Sequence, residues 1–182
     1  FGDAELIYQA FSPLVEELAA ETDRPMRLVV TRDYRELSER LVNGTVDLAW
    51  IGSANYVKTR ELIPNIRYPA TYLERDASGT RVQPYYQSVI LALGSKPYQS
   101  LADLEGVRFG FTSPDSTSGY AYPRMILEQN GIDPNRYFQD VFFLGRHTDV
   151  IRALQAGSLD AGAVSDGTYY NAQEATGGQF RA

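Results

Sequence analysis

Two stretches of this chain look alike. Leu41-Val42-Asn43-Gly44-Thr45-Val46-Asp47-Leu48-Ala49 returns 113 positions later as Leu154-Gln155-Ala156-Gly157-Ser158-Leu159-Asp160-Ala161-Gly162. Each copy reads as the end of a helix, a glycine that closes it in the left-handed conformation, and an aspartate that opens a strand. The apolar positions correspond as well: Leu37 with Val150, Val46 with Leu159, Ile51 with Val164. The same offset pairs Tyr34 with His147, Ser53 with Asp166 and Tyr56 with Tyr169. Each pair falls just beyond the carboxyl end of an expected strand, where open α/β sheets bind ligands. A helix-Gly-x-x-Asp-strand unit is also a common local solution that chance can produce twice. The flanking polar pairs favour two similar lobes presenting side chains from equivalent loops.

Hydrophobic periodicity places the remaining elements. Helical patterns cover 3–21, 34–42, 54–61, 117–130, 147–156 and 166–175, with a short turn at 101–104. Asp3 caps the first of these. Strand patterns cover 26–31, 46–51, 66–74, 85–93, 107–111, 139–144 and 161–165. The polar stretch 75–84 holds Asp76-Ala77-Ser78-Gly79, an expected exposed turn. Strands alternating with helices predict α/β layers with mostly parallel sheets. The 182 residues are 43% hydrophobic, which is enough for a real core.

Composition excludes several function classes. The formal charge is −6, from 17 basic and 23 acidic residues, and the basic ones form no stripe, so no nucleic-acid footprint is present. An anion bound by such a chain needs a locally positive site. With no cysteine, disulfides and thiolate metal centres are excluded. The most apolar run, 88–94, is strand-sized, so direct membrane insertion is not expected of this segment. The chain opens on Phe1-Gly2-Asp3-Ala4-Glu5 and enters a helix pattern directly, so no export signal is expected within it.

The chemistry concentrates in residues 109–119, which run from a strand into a helix and include Ser116-Thr117-Ser118-Gly119. The first turn of a helix carries unpaired N–H groups and a partial positive charge. Thr117, Ser118 and Gly119 can aim those donors at an anion, and three hydroxyls add donors without fixed charge. Gly119 allows close approach to the backbone. An ordinary Ser/Thr N-cap explains the same residues. The Gly-x-x-x-x-Gly-Lys pattern of a nucleotide-binding loop is absent.

His147 is the only histidine and cannot build a zinc site by itself. It is either a helix-capping surface residue or an anion donor, stronger when protonated. Asp166 follows a strand and mirrors Ser53, and a carboxylate there can accept a proton from a protonated oxyanion. Asp47 reads as structural. Among 13 tyrosines, Tyr34, Tyr56, Tyr120 and Tyr122 are candidates to line a cleft, with Tyr85 and Tyr86 near a crossing between lobes. Trp50 reads as core. No nucleophile–base pair stands out, so the chain is not expected to be an enzyme and no cofactor is expected.

These residues resemble a known family. Phe11-Ser12-Pro13-Leu14, Asp33-Tyr34 and Gly44-x-x-Asp47-Leu48-Ala49-Trp50-Ile51-Gly52 with Tyr56-Val57 are similar to the first lobe of phosphonate and phosphite ABC-transporter substrate-binding proteins. Ser116-Thr117-Ser118-Gly119, His147 and Gly157-x-x-Asp160-Ala161-Gly162-Ala163-Val164 are similar to the second. The resemblance implies a two-lobe, type II periplasmic-binding-protein (Venus flytrap) architecture that closes on a small phosphorus oxyanion. Residues 1–86 would form lobe 1, 87–166 lobe 2, and 167–182 a return segment towards lobe 1. It implies ligand contacts from Tyr34, Ser53, Tyr56, Ser116, Thr117, Ser118, Gly119, His147 and Asp166, a periplasmic or extracytoplasmic location, and an ABC permease as membrane partner. Against that family the chain reads as truncated at both ends, lacking a strand before Phe1 and a segment after Ala182. The same pocket would also suit the extracytoplasmic sensing domain of a signalling protein such as a histidine kinase.

Overall fold

The computed structural model describes residues 4–75 and 82–182; Asp3 and the expected Asp76-Ala77-Ser78-Gly79 turn lie outside them. In chain order these residues form α1 (Ala4–Thr22), α2 (Tyr34–Val42), α3 (Ser53–Leu62), β1 (Glu74–Arg75), β2 (Val82–Gln83) and β3 (Ser88–Leu93). A 3-10 turn (Leu101–Leu104), β4 (Arg108–Phe111), a π-helical turn (Thr117–Ala121), α4 (Tyr122–Gln129) and α5 (Pro134–Tyr137) follow. The chain continues through β5 (Asp140–Phe143), α6 (His147–Gln155), β6 (Ala161–Ser165), α7 (Asp166–Thr176) and β7 (Phe180–Arg181).

Five strands form one sheet in the order β5-β4-β6-β3-β7. The β4–β5 and β4–β6 ladders are parallel, with Gly110 opposite Phe142 and Gly162. The expected parallel pairing therefore holds where helices cross over between strands, as that geometry requires. β3 runs antiparallel to β6, pairing Val89 with Val164, and β7 runs antiparallel to β3, pairing Leu93 with Phe180. Residues 167–182, expected to return towards the first lobe, form α7 and β7 and extend this same sheet.

Side chains alternate across the sheet and feed two cores. Phe109, Phe111, Ala161 and Ala163 face Leu127 and Phe138. Leu91 and Val164 face Val150, Leu154 and Leu159 on the other side. This is the two-residue period of a sheet covered on both faces. Two glycines set the spacing of the second layer. A Cβ on Gly162 would lie 2.6 Å from Val150 Cγ1, and one on Gly110 would lie 2.3 Å from Leu159 Cδ1. Only glycine lets α6 and the turn after it pack this closely on β4 and β6. Asp160 clamps the strand ends together. It accepts from Arg108 Nε at 2.9 Å and from the Arg108 backbone N–H at 3.1 Å.

The first third of the chain departs from expectation. No strand forms at 26–31 or 46–51, and of 66–74 only the last residue enters a strand. β1 pairs only with β2. A strand exists through its ladder, and these apolar segments find no ladder partner among the described residues. Consequently α1 has no buried residue. Trp50, expected in the core, is half exposed and stacks edge-to-face on Phe11 and Tyr72. The strand expected over 85–93 begins only at Ser88. The short α5 was not anticipated; Asp133 caps the Asn135 N–H at 3.1 Å and Pro134 occupies the first helical position.

Candidate anion-binding site

Five helical segments begin where the repeat and the Ser-Thr-Ser-Gly element place polar residues. Tyr34 opens α2, Ser53 opens α3, Thr117 opens the π-helical turn, His147 opens α6 and Asp166 opens α7. Three of these starts carry a side-chain cap, while α3 and α6 begin without one. Asp33 accepts from the Glu36 N–H at 2.8 Å, Ser116 from the Gly119 N–H at 3.0 Å and Ser165 from the Thr168 N–H at 3.4 Å. Helix beginnings carry partial positive charge, so a cluster of them favours an anion without a formal cation.

Three of the five starts meet directly. The Tyr34 hydroxyl lies 3.3 Å from His147 Nε2 and 3.4 Å from Ser116 Oγ, and Ser116 Oγ lies 3.5 Å from Nε2. Tyr34 and His147 are the repeat-related pair, 113 positions apart in sequence and touching in space. α3 joins through its backbone: the Ala54 N–H donates to Thr117 Oγ1 at 2.8 Å. β3 joins through Ser88, whose hydroxyl donates to the Ser118 carbonyl at 2.7 Å.

Hydrogen bonding determines the state of His147. The Ser165 N–H donates to Nδ1 at 3.2 Å, so Nδ1 is an acceptor and carries no proton. Thr112 Oγ1 also contacts Nδ1 at 3.3 Å while donating to the Ala163 carbonyl at 3.1 Å. The ring proton therefore sits on Nε2, pointing towards Tyr34 and Ser116. Burial lowers the His147 pKa to about 4, because desolvation opposes the imidazolium. The protonated form, which would donate more strongly, is thus not the one held at neutral pH; His147 offers a neutral N–H. Burial also pushes the Tyr34 hydroxyl above its ordinary pKa, which keeps it a donor.

Gly119 is also required by the packing. A Cβ there would fall 2.2 Å from Thr112 Oγ1 and 2.9 Å from Ser116 Oγ. The glycine lets the helix start press against the end of β4, and its carbonyl accepts the Thr112 N–H at 3.0 Å. The turn itself is π-helical: Ala121 N–H reaches the Ser116 carbonyl at 3.0 Å, one residue beyond the α-helical partner. Such wide turns recur at functional sites.

The remaining expected residues differ in burial and contacts. Ser116, Thr117 and Ser118 are buried. Asp166 is buried at the first turn of α7, its Oδ1 accepting from the Gly167 N–H at 2.9 Å, and its backbone N–H bonds Gln87 beside β3. Ser53 is exposed, and Tyr56 is half-buried with its ring 5.7 Å from Tyr68. Tyr120 packs on Phe111, whereas Tyr122 and Tyr85 are exposed. Thr112 was missed, because a lone threonine at a strand end carries no pattern. So was the buried network in which Ser38 Oγ lies 2.9 Å from both Asn55 Oδ1 and Thr59 Oγ1 and Asn55 Nδ2 reaches the Tyr34 carbonyl at 3.2 Å. Its signal was present as polar residues on facing sides of α2 and α3. A cavity of about 700 Å³ between β3, β7 and α7 lies at the far end of β3 and holds none of these residues. Among the described residues no group of three acidic or histidine side chains is placed to hold a metal.

The profile of the family described as ABC transporter, phosphonate, periplasmic substrate-binding protein matches residues 1–182. The chain belongs to this family. A curated member, the phosphate-import protein PhnD of Mycolicibacterium smegmatis, is 29% identical over 164 residues, covering 86% of the chain and 50% of the relative. The chain thus spans about half the length of that relative. The binding protein component of an ABC phosphonate transporter from Pseudomonas aeruginosa superposes with TM-score 0.82 at 20% identity, over 99% of the chain and 60% of that structure. PhnD1 of Prochlorococcus marinus, solved with methylphosphonate, superposes with TM-score 0.80 at 21% identity, over 99% and 67%. The fold is that of the type II periplasmic binding proteins. No described helix is long and apolar enough to cross a membrane.

Proposed function

We propose that the chain binds a small phosphorus oxyanion, a phosphonate, phosphite or phosphate, in a cleft between two lobes, as the substrate-binding part of an ABC importer. The observation that carries this reading is the meeting of Tyr34, Ser116 and His147 at three helix starts, with hydroxyl and neutral imidazole donors and no fixed cation among them. Such a group suits an anion whose charge is spread over several oxygens. Family membership and the methylphosphonate carried by the Prochlorococcus marinus structure support the ligand class.

In this reading residues 1–86 supply one lobe, with Tyr34, Ser53 and Tyr56. Residues 87–166 supply the other, with Ser116, Thr117, Ser118, His147 and Asp166. Gly119 acts through packing, and Asp166 accepts a proton from the P–OH of a monoanion. Ligand contacts available only when the lobes meet would drive closure. The partner is a membrane permease, the location is extracytoplasmic, and no covalent step is involved, in keeping with the family's solute-binding role.

Calorimetric titration with phosphite, methylphosphonate, 2-aminoethylphosphonate and phosphate tests the reading. Saturable binding of at least one is expected, weakened in Ser118→Ala and His147→Ala. No heat with any of the four sinks it, and unchanged affinity in both variants moves the site elsewhere.

A further inference from the structure

Asp115 puts a carboxylate immediately before the Ser116-Thr117-Ser118-Gly119 turn. Its charge reaches the cluster: after burial, it is one of the lesser causes that raise the Tyr34 hydroxyl. Left alone, such a carboxylate opposes any anion at the turn. It is not left alone. Lys58 of α3 donates to Asp115 Oδ1 at 2.6 Å and to the Pro114 carbonyl at 2.8 Å. One helical turn earlier on the same face, the Ala54 N–H donates to Thr117 Oγ1 at 2.8 Å. α3 therefore grips the turn at two points, one with charge and one with a backbone donor.

We propose that Lys58 sets the anion affinity of the turn by neutralising Asp115 and by tying the docking of α3 to it. The inference rests on the functional reading above, since it concerns the same site. The lysine and aspartate side chains are 51% and 29% exposed, so the pair contributes little to folding stability. Its effect falls on the incoming ligand. An anion near the turn meets a neutral ion pair instead of a lone negative charge, on a chain whose formal charge is already −6. The arrangement also couples two events: α3 can hold Asp115 only where its first turn meets Thr117.

The test is a double-mutant cycle read by calorimetry with methylphosphonate and inorganic phosphate at low ionic strength. Lys58→Met should weaken both ligands by about three- to tenfold, the range of one unscreened charge at a half-exposed position. Asp115→Asn should bind at least as tightly as the unaltered chain. In the Asp115→Asn background no carboxylate holds the lysine over the turn, so Lys58→Met should cost less there than in the original background, where Lys58→Arg should retain binding. Added salt should narrow the Lys58→Met defect. Equal affinity of Lys58→Met and the unaltered chain overturns the proposal, as does the same fold-loss in both backgrounds. Melting temperatures of all variants identify any loss that comes from unfolding, and Lys58→Arg then carries the comparison. No binding by the unaltered chain overturns the functional reading and this inference with it.

Discussion

Gly119 and His147 show how much a single position can decide. Gly119 sits where a methyl group would collide with Thr112 and Ser116. Gly119→Ala is expected to cost about 1–3 kcal/mol in urea unfolding, the usual range for overpacking, and to weaken anion binding because the turn is displaced. His147 makes stability depend on pH. Its folded pKa of about 4 lies below the ordinary 6.5, so the unfolded chain takes up a proton that the folded chain refuses. The contribution is complete above pH 6.5, falls as the pH drops and levels out below about 4. That difference corresponds to about 3 kcal/mol. Urea unfolding of the unaltered chain and of His147→Gln at pH 7, 5.5 and 4 checks it; the unaltered chain should lose more stability across the series. At this scale Tyr34, Ser116 and His147 were legible, because a repeat offset and a run of hydroxyls mark them. Thr112 was not, because its part depends on what Gly119 lacks.

The helices were legible where local signals bound them. Helices α2 and α6 begin and end at repeat-related positions, and α3 and α7 begin at them. Gly44 and Gly157 close α2 and α6 with φ of +64° and +70°. The strands fared unevenly. The 161–165 strand forms because β3 and β4 flank it, whereas its repeat counterpart at 46–51 has no ladder partner among the described residues and forms none. The two kinds of glycine in the second copy separate local from tertiary demands. Gly157→Ala meets no atom within 4 Å, so only its backbone is strained, at about 1 kcal/mol. Gly162→Ala places a methyl 2.6 Å from Val150 Cγ1 and 3.0 Å from the Gly110 carbonyl, and should cost more, about 1–3 kcal/mol. Chemical denaturation of the two variants side by side tests that order.

Across the whole molecule, the site joins elements that are distant along the chain. Tyr34 to His147 spans 113 positions and Ala54 to Thr117 spans 63. A ligand held among such elements stabilises the fold against unfolding by mass action, by about 2.7 kcal/mol at one hundred times its dissociation constant. For a chain of this size that is about 5–10 °C in melting temperature. A thermal-shift series with methylphosphonate should show this rise and a chloride control should not; equal shifts in both would point to a general salt effect.

The sequence by itself determined the α/β layering and the starts and stops of α2 and α6, because periodicity and closing glycines act within a few residues. It also marked the polar residues at the repeat's strand ends. Only the tertiary structure decided which apolar runs became strands, since a ladder needs a neighbour that local pattern cannot supply. It also decided the chemistry of the marked residues. Burial keeps His147 neutral, the Ser165 N–H assigns its proton to Nε2, and Thr112 makes Gly119 a point of close packing. Each of these depends on groups brought together by folding, and none is adjacent in the chain to the residue it controls.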